Sequence, residues 1–230
     1  MNRNVYMILK IKQSIYLCIG LLSCTITIAQ VQVSEEPMHR NVFQNKYIRL
    51  LDVWLRPGDT TQYHVHATPS LFVYLSNNTI STQIKGEEWV NDQAITGKAW
   101  YGSFSPDILV HRVSNLDTVP FHVNDIEILS PYGNKNLSGI KPLPFPVLFE
   151  NEKAFAYQFT NSAFKMQITR SRGPMVAELV SGDGIKFHDT KTKHAKEIKA
   201  GKYFYIEPGT SFYFTAGRAG EINMVIFEIK

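Results

Sequence analysis

From Val42 onward, no stretch of this chain holds apolar residues at helical spacing for three turns. Its segments are short, rich in Val, Ile, Tyr, Phe and Thr, and closed by Gly, Pro, Asn or Asp, which is the pattern of strands and tight turns. Predicted strands cover Tyr47–Leu55, Gln62–His66, Leu71–Leu75, Thr79–Lys85, Trp100–Phe104, Leu109–Val113 and Val119–Leu129. Breaks fall at Pro57-Gly58-Asp59, Thr68-Pro69, Ser76-Asn77-Asn78 and Ser105-Pro106-Asp107. This spacing predicts an all-β fold, an antiparallel sandwich or barrel. The 230 residues, 44% hydrophobic and 19% charged, are enough to bury a core without disulfide staples and exclude a disordered chain or a polytopic membrane protein.

A composition shift divides the chain. Residues 131–146 carry Pro131, Pro142, Pro144 and Pro146, which cannot donate hydrogen bonds into a sheet, so the segment reads as a linker between residues 37–130 and residues 147–230. Strand patterns resume at Phe155–Thr160, Phe164–Thr169, Met175–Val180, Lys202–Ile206, Ser211–Phe214 and Ile222–Ile229. Phe43-Gln44-Asn45 before the first long strand is echoed at one constant offset by Phe149-Glu150-Asn151, which points to a duplicated β unit.

Residues 1–29 have the outline of a secretory signal peptide. Arg3, Lys10 and Lys12 precede the apolar run Ile15–Ile28, and Thr27-Ile28-Ala29 places small side chains ahead of Gln30. The run is shorter than the roughly 20 residues that span a bilayer. Leu21-Leu22-Ser23-Cys24 is similar to a bacterial lipoprotein cleavage box, which offers a lipid anchor at Cys24 as the variant reading. Either way the expectation is export to the periplasm or the extracellular space. Removing residues 1–29 takes three of the 24 basic residues and leaves 21 against 20 acidic ones, so the basic charge gives no support to a nucleic-acid partner.

The histidines carry the chemistry. His64 and His66 stand two apart in a predicted strand and so project from one face toward a common point. His111 in the strand Leu109–Val113 can supply a third imidazole if that strand runs alongside. Three imidazoles suit Fe, Mn, Zn, Ni or Cu and leave coordination positions open. An isolated His-x-His pair is more often a core or surface feature. Here Gly58-x5-His64-x-His66 and Pro106-x4-His111-x3-Asn115 resemble the two signature motifs of the cupin superfamily. The resemblance implies a jelly-roll β-barrel over residues 37–130 with a divalent metal held inside by His64, His66 and His111. It also implies that the chain is a bicupin with a second, degenerate unit, since Tyr213 falls where the second histidine motif would place its ligand.

Three departures from the family pattern bear on function. Ser70 occupies the place of the acidic ligand, Asn77 that of the motif-closing glycine, and Ile108 that of another glycine. A ligand set without a carboxylate is similar to that of the thiol dioxygenases, and its uncompensated metal charge favours a small carboxylate or an enolisable compound. Ser70, Tyr63, Tyr74 and Tyr101 are the candidate pocket residues, although aromatic residues at these spacings commonly pack a core. His122 reads as a structural or surface residue, His39 as a domain-edge residue, and His188 and His194 as parts of the charged run Lys186–Lys199, a solvated loop. Two functions fit: a metal-dependent oxygenase or isomerase, and a non-catalytic cupin that binds a small molecule, sugar or metal. No residue pattern identifies a general acid or base.

Overall fold

The structure, a computed structural model, describes residues 30–133, 141–164, 166–168, 172–217 and 220–230; the expected leader, with Cys18 and Cys24, lies outside these residues. Among the described residues strands dominate, joined by loops and two 3-10 turns, Val33–Glu35 and Asn161–Ala163, and no helix is long and apolar enough to cross a membrane. The first unit contains β1 (Val31–Gln32), β2 (His39–Gln44), β3 (Ile48–Leu55), β4 (His64–His66), β5 (Ser70–Tyr74), β6 (Asn78–Ile84), β7 (Trp89–Ala94), β8 (Ala99–Gly102), β9 (Leu109–Asn115) and β10 (Phe121–Ile128). They form two sheets, ordered β1-β4-β9-β6-β7 and β2-β3-β10-β5-β8. The second unit contains β11 (Val147–Glu150), β12 (Ala154–Thr160), β13 (Met175–Ser181), β14 (Ile185–Asp189), β15 (Ala195–Ile198), β16 (Lys202–Ile206), β17 (Phe212–Ala216) and β18 (Asn223–Ile229). Its sheets run β11-β12-β18-β13-β16 and β15-β14-β17.

Strand alternation sorts the apolar side chains into three layers. On β10, Phe121 and Val123 face the first unit's interior with Val53, Leu55 and Ile80, while Ile126 and Ile128 face outward. On β18, Met224 and Ile226 face the second unit's interior, whereas Val225, Phe227 and Ile229 face outward. The two outward faces meet in a central core with Ile48, Leu71, Val73, Ala156 and Val176. Central strands are therefore buried on both faces, and each such Leu, Ile or Phe contributes roughly 1.5–3 kcal/mol. That double burial is why the sequence shows continuous apolar runs at Met175–Val180 and Ile222–Ile229 instead of clean alternation.

The echo seen in the sequence is a repeated turn. Asn45 Oδ1 accepts the backbone N–H groups of Tyr47 (2.8 Å) and Ile48 (3.0 Å) between β2 and β3. Asn151 Oδ1 accepts those of Lys153 (2.8 Å) and Ala154 (2.9 Å) between β11 and β12. Each asparagine also donates its own N–H to a carbonyl three residues on, at 3.0 Å. In both units, this side chain replaces a backbone turn and launches the first long strand.

Several segments differ from the sequence expectation. Among the described residues of the predicted strand Phe164–Thr169 no strand forms: Phe164 closes a 3-10 turn and Ile168 makes a single bridge to Phe212. The charged run Lys186–Lys199 is a hairpin, β14 and β15, rather than a loop, because Ile185, Phe187 and Ile198 turn inward and leave the charges on the solvated face. Trp89–Ala94 is an edge strand with almost no buried side chain, held by its backbone ladder to β6, so periodicity had nothing to register. Within the Pro-rich stretch, Leu143 and Phe145 are buried in the second core. Residues 134–140 of it lie outside the described residues.

Candidate metal centre

The site grows out of the pairing of β4 with β9. Their antiparallel register sets His64 directly opposite His111, and the two-residue period puts His66 on the same inner face as His64. Ring centroids stand 5.1 Å apart for His64 and His66, 4.6 Å for His64 and His111, and 4.9 Å for His66 and His111. One nitrogen from each ring lies within 4.8 Å of the other two, a grouping that can hold a metal ion.

The donor atoms fit a divalent metal. His64 Nδ1 is 2.9 Å from the Gln62 carbonyl, so it carries the proton and leaves the Nε2 lone pair free. His64 Nε2 and His111 Nε2 are buried without any hydrogen-bond partner. Orphaned buried nitrogens cost stability, and two of them within one three-histidine cluster are accounted for by a cation. All three imidazoles are held in the neutral, ligating form. Burial, reinforced by His39 and His111, pulls His64 down to about 3; burial and then His39 pull His111 to about 4; burial, His111 and His64 push His66 lower still.

Two acids and a fourth histidine surround the cluster; sequence reasoning passed over both acids and read His39 as a domain-edge residue, whereas it is buried against His64. Asp125 on β10 is buried, and its Oδ2 lies 3.6 Å from His66 Nδ1. That separation exceeds hydrogen-bonding distance, and His66 Nδ1 has no hydrogen-bond partner. Burial, with the neighbouring charge of Glu127, raises the Asp125 carboxyl well above its ordinary range. The signal for Asp125 lay in the alternation of β10, where Phe121 and Val123 place residue 125 on the interior face. The third group is His39, whose ring lies 4.6 Å from that of His64 and whose Nδ1 is 2.7 Å from Glu36 Oε2. Glu36, only 2% exposed, also accepts the backbone N–H of Met38 (2.7 Å) and Gln62 (3.1 Å). Although burial opposes it, the His39 contact and these donors hold the Glu36 carboxyl below its usual value. No spacing rule links residues 36 and 39 to residue 64; the parallel pairing of β1 with β4 brings Glu36 there, and the pairing of β2 with β3 sets His39 beside it.

A cavity of about 170 Å³ opens beside the three histidines. Phe72, Tyr74, Trp100 and Phe121 form its aromatic wall, with His39 and Asp125 among its polar groups. Phe72 stacks on Trp100 at 4.8 Å, and Phe104 lies 4.9 Å from the His66 ring. Of the four candidate pocket residues, Tyr74 alone lines the cavity. Tyr63 falls on the opposite parity from His64 and points outward, its hydroxyl donating to Gln83 (2.6 Å) and its ring covered by Arg112. Tyr101 faces the central core and donates to Glu152 (3.2 Å). Ser70 is fully buried, but its Oγ turns back to the Thr68 carbonyl (3.2 Å), and its strand partner is Glu127. Asp125, one strand away, is a buried carboxyl beside His66, while the group able to hold a metal is the three histidines expected from sequence.

The remaining histidines keep structural places. His122 points out of the barrel, 2.7 Å from Asp52 and stacked on Trp54 at 3.9 Å. His188 stacks on Tyr213 at 4.6 Å. Tyr213 lies on the outer face of β17, because Phe212 and Phe214 take the interior positions. Phe159, Phe187, Phe212 and Phe214 fill the interior of the second unit.

No protein-family model matches the sequence, and no curated protein matches it. Solved structures do match. AerE from Microcystis aeruginosa superposes with a TM-score of 0.54 at 12% identity, covering 85% of this chain and 98% of that one. The protein Ylba from E. coli gives a TM-score of 0.58 at 8% identity over 84% of this chain and 85% of its own. Salicylate 1,2-dioxygenase from Pseudaminobacter salicylatoxidans gives 0.54 at 11% identity, over 80% of this chain and 71% of that one. At such identities the likeness is one of fold, and with two jelly-roll units packed through a shared core and the histidine motifs set inside the first, this chain has the cupin fold.

Proposed function

We propose that this protein is an exported, metal-dependent enzyme of the oxygenase type, acting on a small molecule in the cavity of its first unit. The observation that carries this reading is the convergence of three buried, neutral imidazoles on one point in the wall of an aromatic-lined cavity. His64, His66 and His111 would hold the metal, which when bound supplies Lewis-acid polarisation and oxygen activation. Three protein ligands leave positions open for a substrate. Phe72 and Trp100 give the cavity beside the centre an aromatic wall, and Phe104 packs on the His66 ring. Glu36 fixes the orientation of His39 beside His64, in the role a carboxylate plays toward an imidazole that must present one chosen nitrogen. The likeness to salicylate 1,2-dioxygenase, one of whose structures is a complex with gentisate, supports an oxygen-dependent reaction. Export rests on the character of residues 1–29, and the mature chain is expected to begin at Gln30 or at a lipidated Cys24.

Metal analysis of protein purified without a chelating tag tests the centre. One equivalent of metal per chain, lost in His64→Ala, is expected, and oxygen uptake in a small-molecule screen should depend on it. Absence of metal after supply of Fe, Mn, Zn, Ni and Cu in turn would reject the reading.

A further inference from the structure

The three imidazoles are not held in the same way. His64 is fixed by the hydrogen bond between its Nδ1 and the Gln62 carbonyl at 2.9 Å. His66 lacks that restraint: its Nδ1 is buried with no hydrogen-bond partner, and Asp125 Oδ2, at 3.6 Å, is out of reach. The torsion that turns an imidazole about its Cβ–Cγ bond is broad, so a ring without an anchor can rotate its donor nitrogen off the ion. What packs against His66 therefore decides its orientation. The Phe104 ring lies 4.9 Å away, tilted by 31°, and Phe72 stands edge-on at 5.9 Å.

Phe104 sits where a phenylalanine is hard to keep. In the loop from β8 to β9, Ser103, Ser105, Pro106, Asp107 and Ile108 are exposed, and Phe104 alone turns inward, half-buried on His66. Its φ of +47° lies in the left-handed region, which strains a bulky residue. A Cβ on Gly102 would lie 2.3 Å from the end of the Phe104 ring, so the glycine two residues earlier is part of the ring's seat. Leu109, where the loop joins β9, is the register partner of His66, which brings the loop over that imidazole. Letting the ring swing out among its exposed neighbours would relieve the strain, yet the ring stays on the ligand. We infer that Phe104 is a positioning residue for the metal centre: seated against Gly102, it holds the His66 ring in the orientation that presents a nitrogen to His64 and His111. This rests on reading the three histidines as a metal centre.

Titration of Cu(II) into the metal-free chain against a competing chelator, with electron paramagnetic resonance of the loaded samples, tests it. Phe104→Ala and Phe104→Gly should each lose about three- to tenfold in copper affinity, the cost of ordering one loosened side chain. Both should show a second set of copper hyperfine lines, from centres that His66 has left, where the unaltered chain shows one set. Phe104→Gly should melt above Phe104→Ala, because glycine takes a φ of +47° without strain, yet the two should bind copper alike. Affinity then follows the ring and not the stability of the fold. Gly102→Ala unseats the ring without altering it and should reproduce the loss, so the test decides even if the residue-104 variants fail to fold. Unchanged affinity and spectrum in the folded variants, or affinity that tracks melting temperature, would overturn the inference and leave the metal centre standing. An unaltered chain that takes no copper overturns the metal reading and this inference with it.

Discussion

Asp125 Oδ2 stands 3.6 Å from His66 Nδ1, and both side chains are almost completely buried. A carboxylate facing the outer nitrogen of a ligating histidine orients the ring and raises its basicity. Asp125→Asn keeps the shape and removes that effect, so metal affinity should fall about 10- to 100-fold while the fold persists. Competition against a chelator measures it; unchanged affinity would mean that Asp125 does not support His66.

Metal occupancy should depend on the first unit alone. His64→Ala or His111→Ala should abolish binding of the single equivalent, because each removes one of three donors. His188→Ala should leave it intact, since His188 faces out of the second unit against Tyr213. Elemental analysis after dialysis gives the answer, and two equivalents in the unaltered chain would contradict the assignment.

Ser70→Glu should cost stability rather than strengthen the centre. The side chain is fully buried, and its strand neighbours include Glu127 with Asp125 close by. A third carboxylate there lacks a counter-ion, and a loss of roughly 3 kcal/mol or more is expected in denaturant unfolding. A gain in metal affinity at unchanged stability would place residue 70 at the metal after all.

Glu178 should make stability fall as pH rises. It is buried between the two units, where Asn124 Nδ2 donates to its Oε2 at 2.9 Å, and burial, aided by the charge of Asp52, lifts its carboxyl from 4.5 to about 8. Between about pH 4.5 and 8 the folded chain keeps a proton that the unfolded chain has released. Unfolding free energy should therefore drop by about 1.4 kcal/mol per pH unit from this group and level off above that window. Glu178→Gln should remove this part of the slope in urea titrations run at several pH values, and an unchanged slope would count against a neutral Glu178.

Two glycines should respond differently to a methyl group. At Gly173 a Cβ would collide with the Ile229 carbonyl, which is backbone in the central strand β18, so Gly173→Ala should cost roughly 1–3 kcal/mol or more. At Gly102 the collision is with the end of the Phe104 ring, which can swing. Gly102→Ala should leave thermal stability nearly unchanged but lift Phe104 from His66, visible as altered near-ultraviolet dichroism. Equal losses in both variants would mean that Phe104 is not free to move.

The all-β class, most strand positions and the repeated Asn turn were legible because they rest on local rules: period-two alternation, turn-forming residues and an Asx side chain that satisfies its own neighbours. His64 and His66 were legible for the same reason, since two residues apart on a strand means one face. The resemblance to the cupin motifs added His111, whose partnership with His64 is a pairing across 47 positions that no local period encodes.

By itself the sequence determined that the chain would be built of short strands in two units and that one of them would bring three imidazoles to a common interior. Tertiary structure alone decided the surroundings of those imidazoles. It put Glu36 and His39 beside them through the first strands, placed Asp125 at His66, and filled the second interior with phenylalanines. The reason is physical: alternation tells which residues share a face, but which face meets which, and how much water is left between them, depends on strand order and packing over the whole chain.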